Sequence, residues 1–221
     1  MRKFNQIIQK AINKFTNISD LQLLLPVIAS SEEIRSRSDS EYLSFMERRI
    51  FQAGMRHSVV NDRWNYFEKI FWGFDPEKCQ LISEELLEKH MSNKQLIRHW
   101  TKMKTIPVNS MAITELSQLE GGFGSFLANW PVQRTVDLWE KLATTFSRMG
   151  GNSAACFLRS VGVDTFILTE DVIAVLRREG IVDNAPTSKA AKKKVQVVFN
   201  QWSEESGRPL AHISKLLALS L

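Results

Sequence analysis

Apolar residues recur along this chain at three- and four-residue spacing, which is the period of one face of an α-helix. Phe4, Ile7, Ile8, Ile12 and Phe15 form the first stripe. A break with a helix-start signal follows at residues 17–20. A short apolar segment at 21–26 then either packs this N-terminal part onto the rest or serves as a dimer contact. Ser30 to Glu33 repeats the start signal, and Ser38 with Glu41 has the spacing of a capping box. Behind that cap, Tyr42, Leu43, Phe45, Met46, Ile50 and Phe51 predict a helix that stops near Gly54. Residues 62–73 carry Trp64, Phe67, Ile70, Phe71 and Trp72 on another amphipathic stretch, ended by Phe74, Asp75 and Pro76. The same reasoning predicts helices over 83–89, 93–104, 109–119, 126–130 and 135–149, and again over 169–179, 187–205 and 209–219. No period-two run is long enough for a strand; residues 165–168 come nearest. The expected fold class is all-α.

The densest local signal lies between Phe146 and Leu176. The helix predicted to end near Met149 meets Gly150 and Gly151, which admit backbone angles that other residues resist. Asn152 or Ser153 then caps a second helix with a small apolar first turn. The opening N–H groups of such a helix have no intrahelical partner, and a nest of them suits a phosphate. Thr169 reads as the cap of a further helix that carries Glu170 and Asp171 in its first turn.

Composition narrows the picture modestly. The 221 residues carry 29 Lys and Arg against 24 Asp and Glu, a net charge of +5 that permits nucleic-acid binding without demanding it. Two distant cysteines, Cys79 and Cys156, suit reduced thiols rather than a disulfide framework. No apolar run approaches the ~20 residues that span a bilayer. The charged N-terminus does not resemble a signal peptide, so the expected location is cytoplasmic. Gly121, Gly122 and Gly124 cluster, but without the Lys-Ser/Thr of a phosphate-binding P-loop.

The Gly150–Ser153 turn resembles the helix-hairpin-helix of base-excision DNA glycosylases. A second resemblance is more specific. Gln52-Ala53-Gly54, Phe74-Asp75-Pro76 and Ile97-Arg98 with Lys102 stand in the order and spacing of the DNA-3-methyladenine glycosylase I family. With the hairpin, the resemblance covers roughly residues 40–205. It implies a bundle of about ten helices in two lobes with a cleft between them, spanning residues 36–221, and leaves 1–35 as a helical extension. It further implies a monomeric, monofunctional hydrolase, without cofactor, acting on double-stranded DNA that contains a damaged base. Such enzymes turn the base out of the stack and cut its N-glycosidic bond; an alkylated purine such as 3-methyladenine is the implied substrate.

Several positions depart from the family. Arg49 stands where the family's base-recognising glutamate precedes Gln-Ala-Gly, and His57 replaces an aromatic residue that stacks on the base. The family's zinc site has no counterpart among Cys79, Cys156, His57, His90, His99 and His212, so no metal is expected. Asn152 and Ser153 occupy the place of the lysine that bifunctional relatives use, which argues against lyase chemistry.

By resemblance, Asp171 is the candidate catalytic carboxylate; Thr169 and Glu170 align there equally well, and Asp164 is a further rival. Acids in a helix's first turn also simply complement its dipole. Candidates for a base pocket are Phe51, Gln52, Met55, His57 and Trp64, although Phe51, Met55 and Trp64 fit core packing too. Gly150, Gly151, Asn152 and Ser153, with Arg148 and Arg159, are the expected DNA contacts. Arg49 is either a surface residue or a phosphate contact. Arg98, His99 and Lys102 fall on one face of the helix predicted over 93–104. Lys189, Lys192, Lys193 and Lys194 form either a solvated face or a nonspecific attraction for DNA. Two other functions fit the same residues: a damaged-DNA-binding protein that has lost the chemistry, favoured by Arg49, and an all-α protein whose hairpin contacts only protein.

Overall fold

The computed structural model describes residues 3–13 and 18–221, and every regular element among them is helical. Fifteen α-helices and two 3-10 turns are present among the described residues, more than the roughly ten helices the resemblance implied, because short helices such as Ile18–Leu23, Pro76–Cys79 and Trp100–Met103 add to the long ones. Phe15, which the first stripe included, lies outside the described residues.

The strongest contacts fall into two groups. In one, the helix Asp39–Gln52 packs against Thr105–Glu120 and His57–Ile70, while Ser31–Ser36 lies on Phe123–Ala128. In the other, Phe4–Asn13 packs on Leu210–Leu219 and Lys189–Ser206, and Thr135–Thr145 also contacts Lys189–Ser206. The helix Ser153–Ser160 contacts both Asp39–Gln52 and Thr135–Thr145, and so joins the groups. One buried apolar cluster, from Phe4 to Leu217, is continuous through them.

Local chemistry explains the element starts. Ser30 and Ser38 both form full capping boxes, with Glu33 and Glu41 reaching back to the cap amides. Asp75 caps Pro76–Cys79, with proline in the first turn where its missing N–H costs nothing. The N-terminal part is stitched to the rest at Gly162. Ala29 N–H donates to the Gly162 carbonyl at 2.9 Å, and a Cβ on Gly162 would meet the Ala29 Cβ at 2.6 Å. His212 reaches the Pro26 carbonyl at 2.9 Å, and the Phe4 and Trp202 rings lie 5.7 Å apart.

Two expectations are corrected. The 93–104 stretch is not one helix: the Asn93 side chain accepts from Gln95 N–H in a turn, and helix resumes only at Trp100–Met103. Arg98 and His99 therefore precede that helix and do not share a face with Lys102, which is buried. Second, the helix entering the hairpin stops at Thr145 rather than near Met149. Phe146 turns into the core, and Ser147 N–H donates to the Asn109 side chain at 2.7 Å, so a tertiary acceptor replaces a helical one.

Candidate active site

The hairpin turn is open to solvent. Gly150, Gly151 and Asn152 are exposed, and a Cβ on either glycine would meet nothing within 4 Å. Arg148 and Gly151 both take left-handed backbone angles, with φ of 61° each. Glycine adopts that conformation at no steric cost; arginine does not, and the Arg148 Nε bond to the Thr101 carbonyl at 3.2 Å helps to hold it. Asn152 sits at the N-cap of Ser153–Ser160 but its side chain does not cap. Its Nδ2 instead donates to the Leu168 carbonyl at 2.9 Å, which fastens the turn to the segment leading to Thr169. Among the described residues no acceptor pairs with the N–H groups of Ala154 and Ala155. Ser153 itself is buried, and its N–H bonds back to Gly150.

Two hollows adjoin this hairpin. One, of about 270 Å³, lies between Gly151, Asn152 and Leu168 and the Ala185–Thr187 turn. The other, of about 310 Å³, is walled by three helices. Asp39–Gln52 supplies Phe45, Arg48, Arg49 and Gln52, at the i, i+3, i+4, i+7 spacing of a single face. His57–Ile70 supplies His57 and Asn61, one turn apart. The hairpin's second helix supplies Cys156 and Ser160, also one turn apart. The chain thus runs from the exposed turn into the wall of the second hollow within a single turn of helix, roughly 5 Å.

The second hollow is cationic. Its lining includes Arg48 and Arg49 and contains no Asp or Glu. The Arg48 guanidinium lies 4.8 Å from the Phe45 ring centre, a cation–π contact that keeps it at the rim. Arg49 Nε is buried without a hydrogen-bond partner, and among the described residues no carboxylate pairs with its guanidinium. Gln52 donates to Asn61 at 2.9 Å across the floor. The Cys156 thiol is pushed up by burial and drawn partly back by the Arg49 and Arg159 charges.

Below the hollow the scaffold is tightly wired. Lys102 Nζ donates to the carbonyls of Phe51 at 3.0 Å and Ala53 at 2.6 Å, closing the helix that carries Arg49. Burial pulls its ammonium below the ordinary lysine range, helped by Arg148 and Arg49 nearby. Glu47 is wholly buried on the opposite side of the same helix, bonded to Thr105 at 2.6 Å and Asn109 at 2.7 Å. Burial raises its carboxyl to about 7, against the lowering effect of those two bonds.

Of the expected pocket residues, Gln52 and His57 line the second hollow. Met55 is half-buried and lies outside its lining. Phe51 and Trp64 are in the core: the Trp64 ring stacks on Phe67 at 4.9 Å and on Phe74 at 5.2 Å, and its N–H donates to Ser44 at 2.9 Å. Asp171 is exposed in the first turn of Glu170–Arg178, which Thr169 caps, and it lines neither hollow. Its rival Asp164 is committed elsewhere, accepting from Leu210 and Ala211 N–H at the start of the last helix. Arg159 is turned inward onto the Thr165 carbonyl, and burial lowers it to about 10. Lys189 and Lys193 pair with Asp137, and Lys192 pairs with Glu140. Sequence reasoning passed over Phe45, Arg48, Asn61, Cys156 and Ser160 as lining residues. The available signal was the stripe Arg48, Arg49, Gln52 along one face of the helix Asp39–Gln52. Among the described residues no three His, Cys, Asp or Glu side chains gather as a metal ion would need.

Comparison with known proteins places this geometry. The family model described as methyladenine glycosylase matches residues 34–164. No curated protein matches the chain. Among solved structures, the 8-oxoguanine DNA glycosylase of Methanocaldococcus jannaschii is similar at 18% identity and a TM-score of 0.57, covering 95% of this chain and 90% of that one. The same organism's 8-oxoguanine glycosylase/lyase bound to a 15mer DNA containing 8-oxoguanine aligns at 16% identity and a TM-score of 0.56, over 96% and 95%. The 3-methyladenine DNA glycosylase I of Staphylococcus aureus aligns at 19% identity and a TM-score of 0.51, over 57% and 77%. At these identities the likeness to the solved structures is one of fold.

Proposed function

The chain belongs to the methyladenine glycosylase family, and from that premise we propose that it is a monofunctional base-excision DNA glycosylase. It holds one strand of duplex DNA at Gly150–Ser153, receives an everted damaged purine in the hollow beside Arg49, and hydrolyses its N-glycosidic bond. The observation that carries this reading is the adjacency of the exposed turn to that hollow, with Cys156 and Ser160 on the helix that starts at the turn. A strand docked on the turn presents a sugar next to a hollow of about 310 Å³, near the small end of the roughly 300–1,000 Å³ typical of ligand pockets.

In this mechanism water adds to the sugar C1′ as the bond to the base breaks and its electron pair leaves with the base. Backbone amides at the turn position the strand without reading sequence. Asp171, exposed in the first turn of Glu170–Arg178 downstream of the hairpin and outside both hollows, is assigned from that sequence position the role of supplying negative charge for the cationic sugar or orienting the water. Asn152 and Ser153 offer no amine, so water displaces the base from C1′ directly and not through a Schiff base. The enzyme acts as a monomer in the cytoplasm.

Family membership brings forward an alkylated purine such as 3-methyladenine as the first substrate to assay. The experiment is a base-release panel on duplexes carrying single modified bases, followed by alkali cleavage; release of at least one base supports the enzyme. A second reading, a damaged-DNA-binding protein without chemistry, is favoured by Arg49 in place of the acid. It predicts salt-dependent binding to the lesion duplexes with no release from any of them.

A further inference from the structure

We infer that the Arg49 hollow selects an uncharged 6-oxopurine, of which hypoxanthine is the simplest, over the positively charged alkylated adenine; this rests on the glycosylase reading above. The hollow is lined by two guanidinium groups and no carboxylate. Arg49 Nε is buried without a partner, and no carboxylate among the described residues neutralises the side chain. The parts of the two guanidinium groups that face the hollow offer donors only, so a ligand edge that brings acceptors suits them. The edge of a 6-oxopurine presents two such acceptors, O6 and N7, in the geometry that an arginine fork matches. Gln52 and Asn61, already bonded to each other at 2.9 Å, retain further polar capacity toward N1.

The charge of the leaving group gives the same answer. An N3-alkylated adenine enters as a cation and departs neutral, so the Arg49 and Arg48 charges oppose its entry and have no developing anion to stabilise. An uncharged 6-oxopurine departs with the electron pair of the N9–C1′ bond, and negative charge spreads over N9, N7 and O6. Arg49 donates hydrogen bonds to that growing charge. The attacking water forms the new C1′–O bond, and its released proton ends on the purine, which leaves neutral overall. The guanidinium charge at this position thus sets which base the hollow stabilises. Discrimination against normal guanine comes from extrusion: hypoxanthine opposite thymine is mispaired and costs less to turn out than guanine paired with cytosine.

The test uses the full chain, duplexes with hypoxanthine opposite thymine, and duplexes containing 3-methyladenine. The native protein releases hypoxanthine faster by about tenfold or more. Arg49→Gln, which retains donors but removes the charge, loses hypoxanthine release by about 100-fold while unmodified-duplex affinity stays level. Arg49→Glu shifts the preference toward 3-methyladenine; thermal unfolding confirms that both variants are folded. Faster release of 3-methyladenine by the native protein, or a base preference unchanged in Arg49→Gln, overturns the inference and leaves the glycosylase intact. Release of no base at all overturns the glycosylase. Equilibrium binding then decides the pocket: tighter binding of the hypoxanthine duplex than of its adenine counterpart, lost in Arg49→Gln, supports the selectivity, and equal binding rejects it.

Discussion

Glu47 Oε1 lies 2.7 Å from Asn109 Nδ2 in the middle of the protein, and through that pair the helix bearing Arg49 is tied to the hairpin. Asn109 Oδ1 accepts from Ser147 N–H at 2.7 Å, two residues before the buried Met149. Thr105 Oγ1 lies 2.6 Å from both Glu47 Oε2 and the Lys102 carbonyl. One hydroxyl proton cannot serve both acceptors. The chain of bonds is complete when Glu47 is protonated and donates to Thr105, which donates to Lys102.

That geometry fixes a sign for pH dependence. Burial raises the folded carboxyl from 4.5 to about 7. Between those values the folded protein holds a proton that the unfolded chain has lost. Stability therefore falls as pH rises from about 4.5 to about 7 and levels off above, a change on the order of 3 kcal/mol. Glu47→Gln mimics the protonated acid, so its stability is flatter over this range and exceeds that of the native protein at pH 8. Denaturant unfolding from pH 4.5 to 8 measures both; identical profiles would contradict the assignment.

Lys102→Met leaves the Phe51 and Ala53 carbonyls without their donor at the end of the Arg49 helix. The expected loss is about 2–4 kcal/mol of stability, since buried acceptors are stranded while the apolar stem is kept. Thermal unfolding reads the loss, and base release falls further than DNA binding because the hollow loosens.

Gly151→Val places a β-branched side chain at a φ of 61° and on the open face of the turn. Duplex affinity drops, and the slope of log affinity against log salt becomes shallower by about 0.9 for each phosphate that the turn no longer engages. Fluorescence anisotropy at several salt concentrations gives that slope; an unchanged slope places the DNA elsewhere on the surface.

Asp171→Asn abolishes base release and leaves duplex affinity level or raised, because a like charge near the backbone is removed. Asp171 is exposed, so the substitution leaves thermal stability nearly unchanged. Full activity of this variant refutes the role given to the carboxylate.

Gly162→Ala drives a Cβ against Ala29 at a position with φ of 82°. The N-terminal segment is held there by one backbone bond, and the variant loses about 1–3 kcal/mol. DNA binding by the folded fraction is unaffected, which separates anchoring of the N-terminal part from the work of the hairpin.

The sequence by itself determined the all-helical class, the helix start at Ser30, the capping box at Ser38, and the glycine turn, because these are local: a hydroxyl reaches its own helix, and a glycine relieves its own φ. The Gln-Ala-Gly and Ile-Arg motifs pointed to the family unaided. Only tertiary structure decided that Phe51 and Trp64 face the core while Phe45, Arg48 and Arg49 face a hollow. Those residues share one or two helices, and which face is buried depends on what packs against it. Only tertiary structure, again, ended a helix at Thr145, where the distant Asn109 side chain takes the Ser147 N–H; the break before Lys102 is local, an Asn93 side chain accepting from Gln95. Glu47 shows the limit most clearly: a glutamate beside two arginines reads as surface, and becomes a buried acid only when Thr105 and Asn109 close over it.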